Sequence, residues 1–476
     1  MKFPDIEALG STVSSLQTVK AIGRVRGVTG NTLMISGLAN VARFGDRVRI
    51  SRREMEDVFG EVIKLSADAL TVLAETDLTG VSLGDRVHLL PPQVLSPCEA
   101  WLGRVIDPFG QPLDERGLRQ GEDAVPFLAP PPAVGRRRSL GMRLETGTCV
   151  FDTMLPIVRG QRLGLFAGSG VGKSMLLGQL GRKMQTDVVV LALIGERGRE
   201  VRDFVEQVLG QAAMERSVVV AATSDQSPLL RRRCAWAAMS VAEHFRNTGR
   251  HVLLLADSIT RFAEAHREIS VAAGELPVLR GFPGSTAQAI MSLAERAGPG
   301  AGAQGDITAL FSVLVAGSDM DEPIADILRG VLDGHVVLDR SIAERGRYPA
   351  IDLLRSVSRS LPSAASDDQN ALIVKARATL GLYAQSETMI RAGLYNHGSD
   401  PELDKAIGAW RDLDGFVSDT NTTSIDNSFA RLALILRRSG IEPDGVTRTG
   451  TRLNAASNAN DSDNQAPLSS KVRTTP

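Results

Sequence analysis

The stretch from Phe166 to Leu177, FAGSGVGKSMLL, constrains this chain more than any other. It follows an apolar run, Leu163-Gly164-Leu165-Phe166, and leads into a helix-like run from Met175 to Met184. Gly168, Gly170 and Gly172 allow positive φ, so the backbone can fold back and turn successive N–H groups inward. Such amides at the mouth of a helix seat an anion. Lys173 adds a point charge for β- and γ-phosphates, and Ser174 offers a hydroxyl to Mg²⁺. The spacing is that of the phosphate-binding loop G-x-x-x-x-G-K-[ST], with Ala167 in the first position instead of glycine. Alanine is small enough to stand beside a strand end. The loop expected to cradle a triphosphate thus comprises Ala167, Gly168, Ser169, Gly170, Val171, Gly172, Lys173 and Ser174. A glycine-rich turn that happens to carry a lysine is the plainer alternative, and the strand–loop–helix context disfavours it.

The rest of the chain fits around a nucleotide domain. Apolar, β-branched runs at Val188 to Ile194, Val218 to Ala222, Val252 to Ala256 and Ile307 to Ala316 alternate with helical stretches such as Glu200 to Leu209 and Leu229 to Phe245. That alternation predicts a mostly parallel sheet covered on both faces, with ligands at the carboxyl ends of its strands. Upstream, residues 20–92 carry short β-rich runs set between turn signals, among them Gly30-Asn31, Gly45-Asp46 and Gly84-Asp85. Runs so short and closely spaced predict a small β-barrel. Pro91-Pro92 ends it, and the proline-rich Pro126 to Pro132 reads as an extended connector. Arg136-Arg137-Arg138 comes next, read as a solvated loop rather than an anion patch. Beyond about Ser360 the strand signals fade. Asn370 to Arg391, Pro401 to Arg411 and Ser428 to Arg438 read as helices.

The expected architecture is therefore α/β. Residues 20–92 are expected to form a β-barrel, 93–360 a P-loop nucleotide-binding domain and 361–442 a C-terminal helical domain. Residues 443–476, rich in Asn, Ser, Asp and Thr, read as a disordered tail. In residues 1–19, Ile6, Leu9, Val13 and Leu16 fall at helical spacing. Two readings stay open there: an amphipathic docking helix and a loose terminus.

Three further positions carry chemistry if the loop binds ATP. Asp257 ends the apolar run His251 to Ala256, where a carboxylate would hold Mg²⁺ directly or through water. A cap for the following helix is the competing role. Glu196, just past another apolar strand, stands where a carboxylate would orient and polarise the attacking water. Arg197, Arg199 and Arg202 are close by, so a salt-bridged acid in a charged turn competes. Arg359 closes the run Pro349 to Arg359, and a guanidinium there would neutralise charge developing on the γ-phosphate, with an ordinary surface arginine as the competing reading. Tyr348 would stack on a base, or be an ordinary half-buried tyrosine.

Composition sets the outer limits. A chain of 476 residues with 43% hydrophobic and 23% charged residues has the make-up of a globular protein of about three domains. A formal net charge of −1, without interleaved basic and aromatic residues, speaks against nucleic-acid binding. Three scattered cysteines, Cys98, Cys149 and Cys234, suit a reducing cytosol and form neither a disulfide framework nor a zinc site. No secretion signal or apolar run long enough to cross a bilayer is expected.

Several motifs together resemble the rotary-type ATPases of the F-type α/β family, and within them the flagellar type III export ATPases. P-[SAP]-[LIV]-[DNH]-x-x-x-S-x-S is matched by Pro349, Ala350, Ile351, Asp352, Ser356 and Ser358. FAGSGVGKS (Phe166 to Ser174), IGERGREV (Ile194 to Val201), DSITRF (Asp257 to Phe262) and GSDPELDKAI (Gly398 to Ile407) match as well. The resemblance spans roughly residues 20 to 440 and implies that 93–360 is a RecA-like P-loop ATPase domain. It implies that Glu196 is the catalytic glutamate, which non-catalytic ATP synthase subunits lack. It further implies that Arg359 reaches into a neighbouring subunit's site and that Tyr348 stacks on adenine.

The implied enzyme is an Mg²⁺-dependent ATPase with ATP and Mg²⁺ as cofactors. It would form a homohexameric ring that energises flagellar protein export, cytoplasmic and peripheral at the inner face of the cytoplasmic membrane. Implied partners are a stator or regulatory protein at the N-terminus, stalk and gate proteins of the export apparatus, and export chaperones with flagellar cargo. The segment Gly281-Phe282-Pro283-Gly284-Ser285-Thr286 departs from the family's usual G-Y-P-P-S. Alternatives are the ATPase of a virulence type III secretion system, a non-catalytic nucleotide-binding ring subunit and a nucleic-acid translocase on a related ring.

Overall fold

A computed structural model describes residues 21–315 and 320–441. The amphipathic spacing before residue 20 and the polar tail lie outside them. Six strands close into a barrel: β1 (Ile22–Thr29), β2 (Thr32–Ser36), β3 (Arg47–Ile50), β4 (Val58–Leu65), β5 (Leu70–Ala74) and β6 (Arg86–Leu89), in the order β1-β2-β5-β4-β3-β6. The Gly30-Asn31 turn joins β1 to β2, with Gly30 at φ 57°. Alternate residues point inward, so Leu33, Ile35, Val48, Ile50, Val72 and Val87 fill the barrel.

The central sheet has nine strands. Its main path is β14-β13-β8-β12-β11-β9-β10-β7, from β7 (Arg104–Ile106), β8 (Arg162–Ala167), β9 (Val188–Glu196), β10 (Ser217–Thr223), β11 (His251–Asp257), β12 (Asp306–Leu314), β13 (Gly334–Leu338) and β14 (Ile351–Ser358). All neighbours on this path pair in parallel except β13 and β14. The ninth, Gly298–Pro299, pairs antiparallel with β12. Both faces are buried, which is why the strands read as continuous apolar runs. In β9, Val189, Leu191 and Leu193 face one core while Val188, Val190, Ala192 and Ile194 face the other.

The helices around this sheet and beyond it include α1 (Cys149–Asp152), α2 (Lys173–Lys183), α3 (Gly198–Asp203), α4 (Gln211–Met214), α5 (Pro228–Asn247), α6 (Ile259–Ala272), α7 (Ser285–Arg296), α8 (Pro323–Val331), α9 (Arg340–Glu344), α10 (Asp367–Arg391), α11 (Pro401–Ser418) and α12 (Ile425–Arg438). On one face, α2 shares a single apolar cluster with α10, α11 and α12, through Leu177, Leu180, Ala376, Leu413, Phe416 and Leu432. The C-terminal helices therefore lean on the same core as the phosphate-loop helix. Helices α5, α6, α7 and α8 cover the other face.

The barrel is seated on α5 and α6. Ile63 and Leu73 pack on Leu229 and Ile269. Beside them Glu61 accepts from Arg232 Nη2 and Arg233 Nη2, each at 2.6 Å, and all three side chains are buried. A triad of this kind fixes how two parts meet more than it stabilises them, because desolvation offsets most of the attraction.

The arginine triplet is not a solvated loop. Arg137 donates to Pro132 O at 3.0 Å and to Glu295 Oε2 at 3.2 Å, and Arg138 to Asp306 Oδ1 at 2.7 Å. The proline-rich connector carries the triplet across the amino edge of the sheet, where these acids draw the guanidinium groups in. Arg136 and Arg138 are exposed and Arg137 is half-buried, so ion pairs rather than burial hold the triplet.

Candidate active site at the carboxyl edge of the sheet

The phosphate loop leaves β8 at Ala167, which is fully buried between β12 and β13. Its carbonyl accepts from Val315 N at 3.1 Å. Gly170 and Gly172 take φ of 76° and 88°, the left-handed region that glycine adopts without strain. Gly172 then opens α2, whose free N–H groups face the loop.

Lys173 forms an ion pair with Asp257, and Ser312 Oγ donates to the same carboxylate at 2.7 Å. Asp257 is buried at the end of β11. It does not cap the next helix: Ser258 does, accepting from Arg261 N. The capping role open to Asp257 from the sequence is thus taken by its neighbour. A cavity of ≈ 170 Å³ opens beside the pair, lined by Ser174, Glu196, Glu200 and Asp257 among others.

A hydroxyl and one carboxylate on the same cavity are hard oxygen donors suited to Mg²⁺. That ion binds through one or two carboxylates plus phosphate and water, rather than in an all-protein cage. No group of three or more His, Cys, Asp or Glu side chains gathers to hold a metal among the described residues.

Glu196 ends β9 just after Gly195, whose φ of 68° marks a break in register. The nearby arginines are engaged elsewhere: Arg197 with Glu200, Arg199 with Asp203 and Arg202 with Glu206. Glu196 is therefore not the salt-bridged acid of a charged turn. Burial first, then the Asp257 charge, push its carboxyl up to about 7, against a smaller opposing effect of Lys173. The Glu200 carboxylate shares a hydrogen bond with it and is held below its ordinary value by that contact. A carboxyl that titrates near neutrality can accept a proton and pass it on.

This raised value links stability to pH. Glu196 binds its proton more tightly folded than unfolded, so its contribution is complete below about 4.5 and is lost as pH rises to about 7. Nucleotide-free Glu196→Gln is expected to melt a few degrees above the wild type at pH 8, taking roughly 2–4 °C per kcal/mol. The gap should close by pH 4.5 in a thermal-melt series. Equal melting temperatures at pH 8 would contradict the raised pKa.

Tyr348 is 53% exposed and lies against the loop: a β-carbon on Gly172 would come within 3.1 Å of its Cδ1. Arg359 is elsewhere. Leu338 of β13 pairs with both Ala167 and Ile351, whereas Gly334 pairs with Ser358. Arg359 N donates to Asp333 O at 3.0 Å. From Asp333 to Leu338 is five residues, about 16 Å along a strand. That exceeds the reach of an arginine side chain, so Arg359 stands at the opposite edge of the sheet from its own phosphate loop. Its Nη2 donates to Arg329 O at 3.1 Å.

Two polar residues of this site were missed in the sequence. Ser312 sits fully buried in a mostly apolar strand, and a polar residue near its carboxyl end was the available signal. Glu200 in the sequence marks only the start of a helical stretch.

The family of the chain emerges from comparison with known proteins. Residues 147–358 match the model of the ATP synthase alpha/beta family, nucleotide-binding domain, and residues 365–434 that of the T3SS EscN ATPase C-terminal domain. The flagellum-specific ATP synthase of Caulobacter vibrioides is 41% identical over 441 residues, 91% of this chain and 99% of that one. Its counterpart in Salmonella typhimurium is 41% identical over 413 residues, 84% and 90% of the two chains. Among solved structures, the assembled ATPase EscN from the enteropathogenic E. coli type III secretion system superposes with a TM-score of 0.82. It is 34% identical, over 87% of this chain and all of that one. The same ATPase in complex with its central stalk EscO gives a TM-score of 0.79.

Proposed function

The chain belongs to the ATP synthase α/β family, in the branch of the flagellum-specific ATP synthases and type III secretion ATPases, and on that footing we propose that it hydrolyses Mg²⁺-ATP in a homohexameric ring to drive flagellar protein export. One observation carries this reading: Ser174, Glu196 and Asp257 line one cavity beside Lys173, at the carboxyl ends of parallel strands.

In this reading Lys173 leaves Asp257 for the phosphates, which also bind the amides of Gly168 to Ser174. Asp257, steadied by Ser312, and Ser174 hold Mg²⁺. The ion, when bound, neutralises phosphate charge as it builds. Glu196 orients the attacking water and takes its proton. Glu200 adds to the burial and the Asp257 charge that raise the Glu196 carboxyl. Arg359 enters the pocket of the adjoining protomer, because its own pocket is beyond its reach. Each protomer carries both Glu196 and Arg359, so identical subunits complete every site in a heterologous ring.

Tyr348 stacks on the base. Tyr348→Ala is expected to raise KM for ATP roughly 5- to 150-fold, the range of about 1–3 kcal/mol for a base–aromatic stack. Turnover at saturation should hold, and Tyr348→Phe should behave as wild type. A Tyr348→Ala enzyme with unchanged KM would remove the stacking role.

The branch also suggests the partners. EscN has been solved with a central stalk, and a stalk protein is the proposed partner here. A stator at the N-terminus, gate proteins and chaperone-bound cargo complete the proposal. No helix among the described residues is long and apolar enough to cross a membrane, so attachment at the inner membrane face would run through partners. A virulence secretion ATPase is the second reading, motivated by the EscN likeness; identity of 41% to flagellar relatives against 34% to EscN favours the flagellar one. Deleting the gene decides: filaments lost, with phosphate release intact in the purified protein, supports the proposal. Normal filaments would overturn it.

A further inference from the structure

Gln161 immediately precedes β8 and is fully buried. Its side-chain amide is satisfied at both ends. Val158 N donates to Gln161 Oε1 at 2.9 Å, and Gln161 Nε2 donates to Asp333 O at 3.1 Å and to Ser358 Oγ at 3.1 Å. The orientation is forced, because a backbone N–H only donates and a backbone carbonyl only accepts.

The two acceptors bracket Arg359. Asp333 O also receives Arg359 N at 3.0 Å, and Ser358 is the residue before it. Ser358 Oγ in turn donates to Pro156 O at 2.7 Å. Asp333 is fixed as well: its carboxylate accepts from Arg162 N at 3.0 Å and from Arg162 Nη2 at 3.2 Å. One buried amide therefore ties the start of β8, the turn into β13 and the end of β14 at the root of the arginine.

We infer that Gln161 is the positioning residue for Arg359, and that β8 is the strut that sets the arginine at a fixed distance from its own protomer's phosphate loop. The strand runs from Arg162 to Ala167, about 16 Å, and is held in register by β12 on one side and β13 on the other. The loop that grips one nucleotide and the arginine that completes the neighbouring pocket hang from the two ends of this strand. The inference rests on the reading of Arg359 as the group that enters the next pocket.

The test is a comparison of Gln161→Met, Arg359→Ala and the double variant in the full-length ring. Gln161→Met keeps the length of the side chain and removes both donors. Its kcat is expected to fall about 10²-fold, the scale of an ångström-sized misplacement of a catalytic group. ATP affinity should be unchanged. Trapping of Mg²⁺-ADP with aluminium fluoride, which mimics the transferring phosphoryl group, should fall in parallel with kcat. Adding Gln161→Met to Arg359→Ala should cost nothing further.

Wild-type trapping by Gln161→Met overturns the inference, as does a proportional loss of ATP affinity and turnover. If Gln161→Met fails to assemble, Ser358→Ala carries the test, with the same selective loss of trapping expected and normal trapping overturning it. If Arg359→Ala itself traps normally, the reading of Arg359 has failed; if only Gln161→Met does, that reading stands and the positioning role falls.

Discussion

Arg359→Ala is expected to lower ATP turnover about 10³–10⁵-fold, the range for removing a guanidinium that neutralises charge on a transferring phosphoryl group. ATP binding to each protomer should survive, because Arg359 lies at the opposite edge of the sheet from its own loop. A residue acting within its own subunit and one acting across an interface differ in a mixed ring. Combining Arg359→Ala with Glu196→Gln protomers creates interfaces where an intact Glu196 pocket faces an intact Arg359. For random mixing around a heterologous ring this is about one interface in four, and activity should return in proportion. Mixtures no more active than either parent would overturn action across the interface. Fully active isolated monomers would do so as well.

Glu196→Gln comes next in expected size, a loss of about 10²–10⁴-fold in kcat, the usual weight of a positioned general base. The amide keeps the shape of the carboxyl and cannot take a proton. Lys173, Ser174 and Asp257 are untouched, so ATP affinity should be unchanged when measured by fluorescent-nucleotide displacement. The buried carboxyl, at about 7, also predicts that wild-type turnover rises with pH up to near neutrality. Glu200→Gln should move that rise to lower pH, because it removes the hydrogen bond and the charge that raise the Glu196 value. A Glu196→Gln enzyme with full turnover would end the assignment. An unshifted profile in Glu200→Gln would end the partnership of the two acids.

Much of this was legible in the residues because it depends on short-range chemistry. The phosphate loop needs positive φ at Gly170 and Gly172 and a lysine next to a helix start, all within eight residues. The parallel sheet showed itself because strands buried on both faces must be apolar throughout. Asp257 and Glu196 stood out because a carboxylate ending an apolar strand is costly unless something uses it.

Other features depend on where distant segments meet. The arginine triplet looked solvated because nothing near it in sequence is acidic, yet Glu295 and Asp306 receive Arg137 and Arg138 from more than a hundred residues away. The competing roles of Asp257 and Glu196 were separated only by seeing Ser258 take the cap and three acids take the arginines. Ser312, Glu200 and Gln161 carry no local motif. Their importance lies in partners that the fold brings together.

The sequence by itself determined the class of sheet, the closed barrel before it and the kind of ligand the loop accepts, since these depend on periodicity, backbone freedom and charge within a few residues. Only the tertiary structure decided that Ser174, Asp257 and Glu196 line one cavity beside Lys173 while Arg359 stands at the other edge of the sheet. The direction of a strand relative to its neighbour sets which edge a side chain reaches. That direction is fixed by pairing across the sheet, which leaves no mark on the strand's own residues.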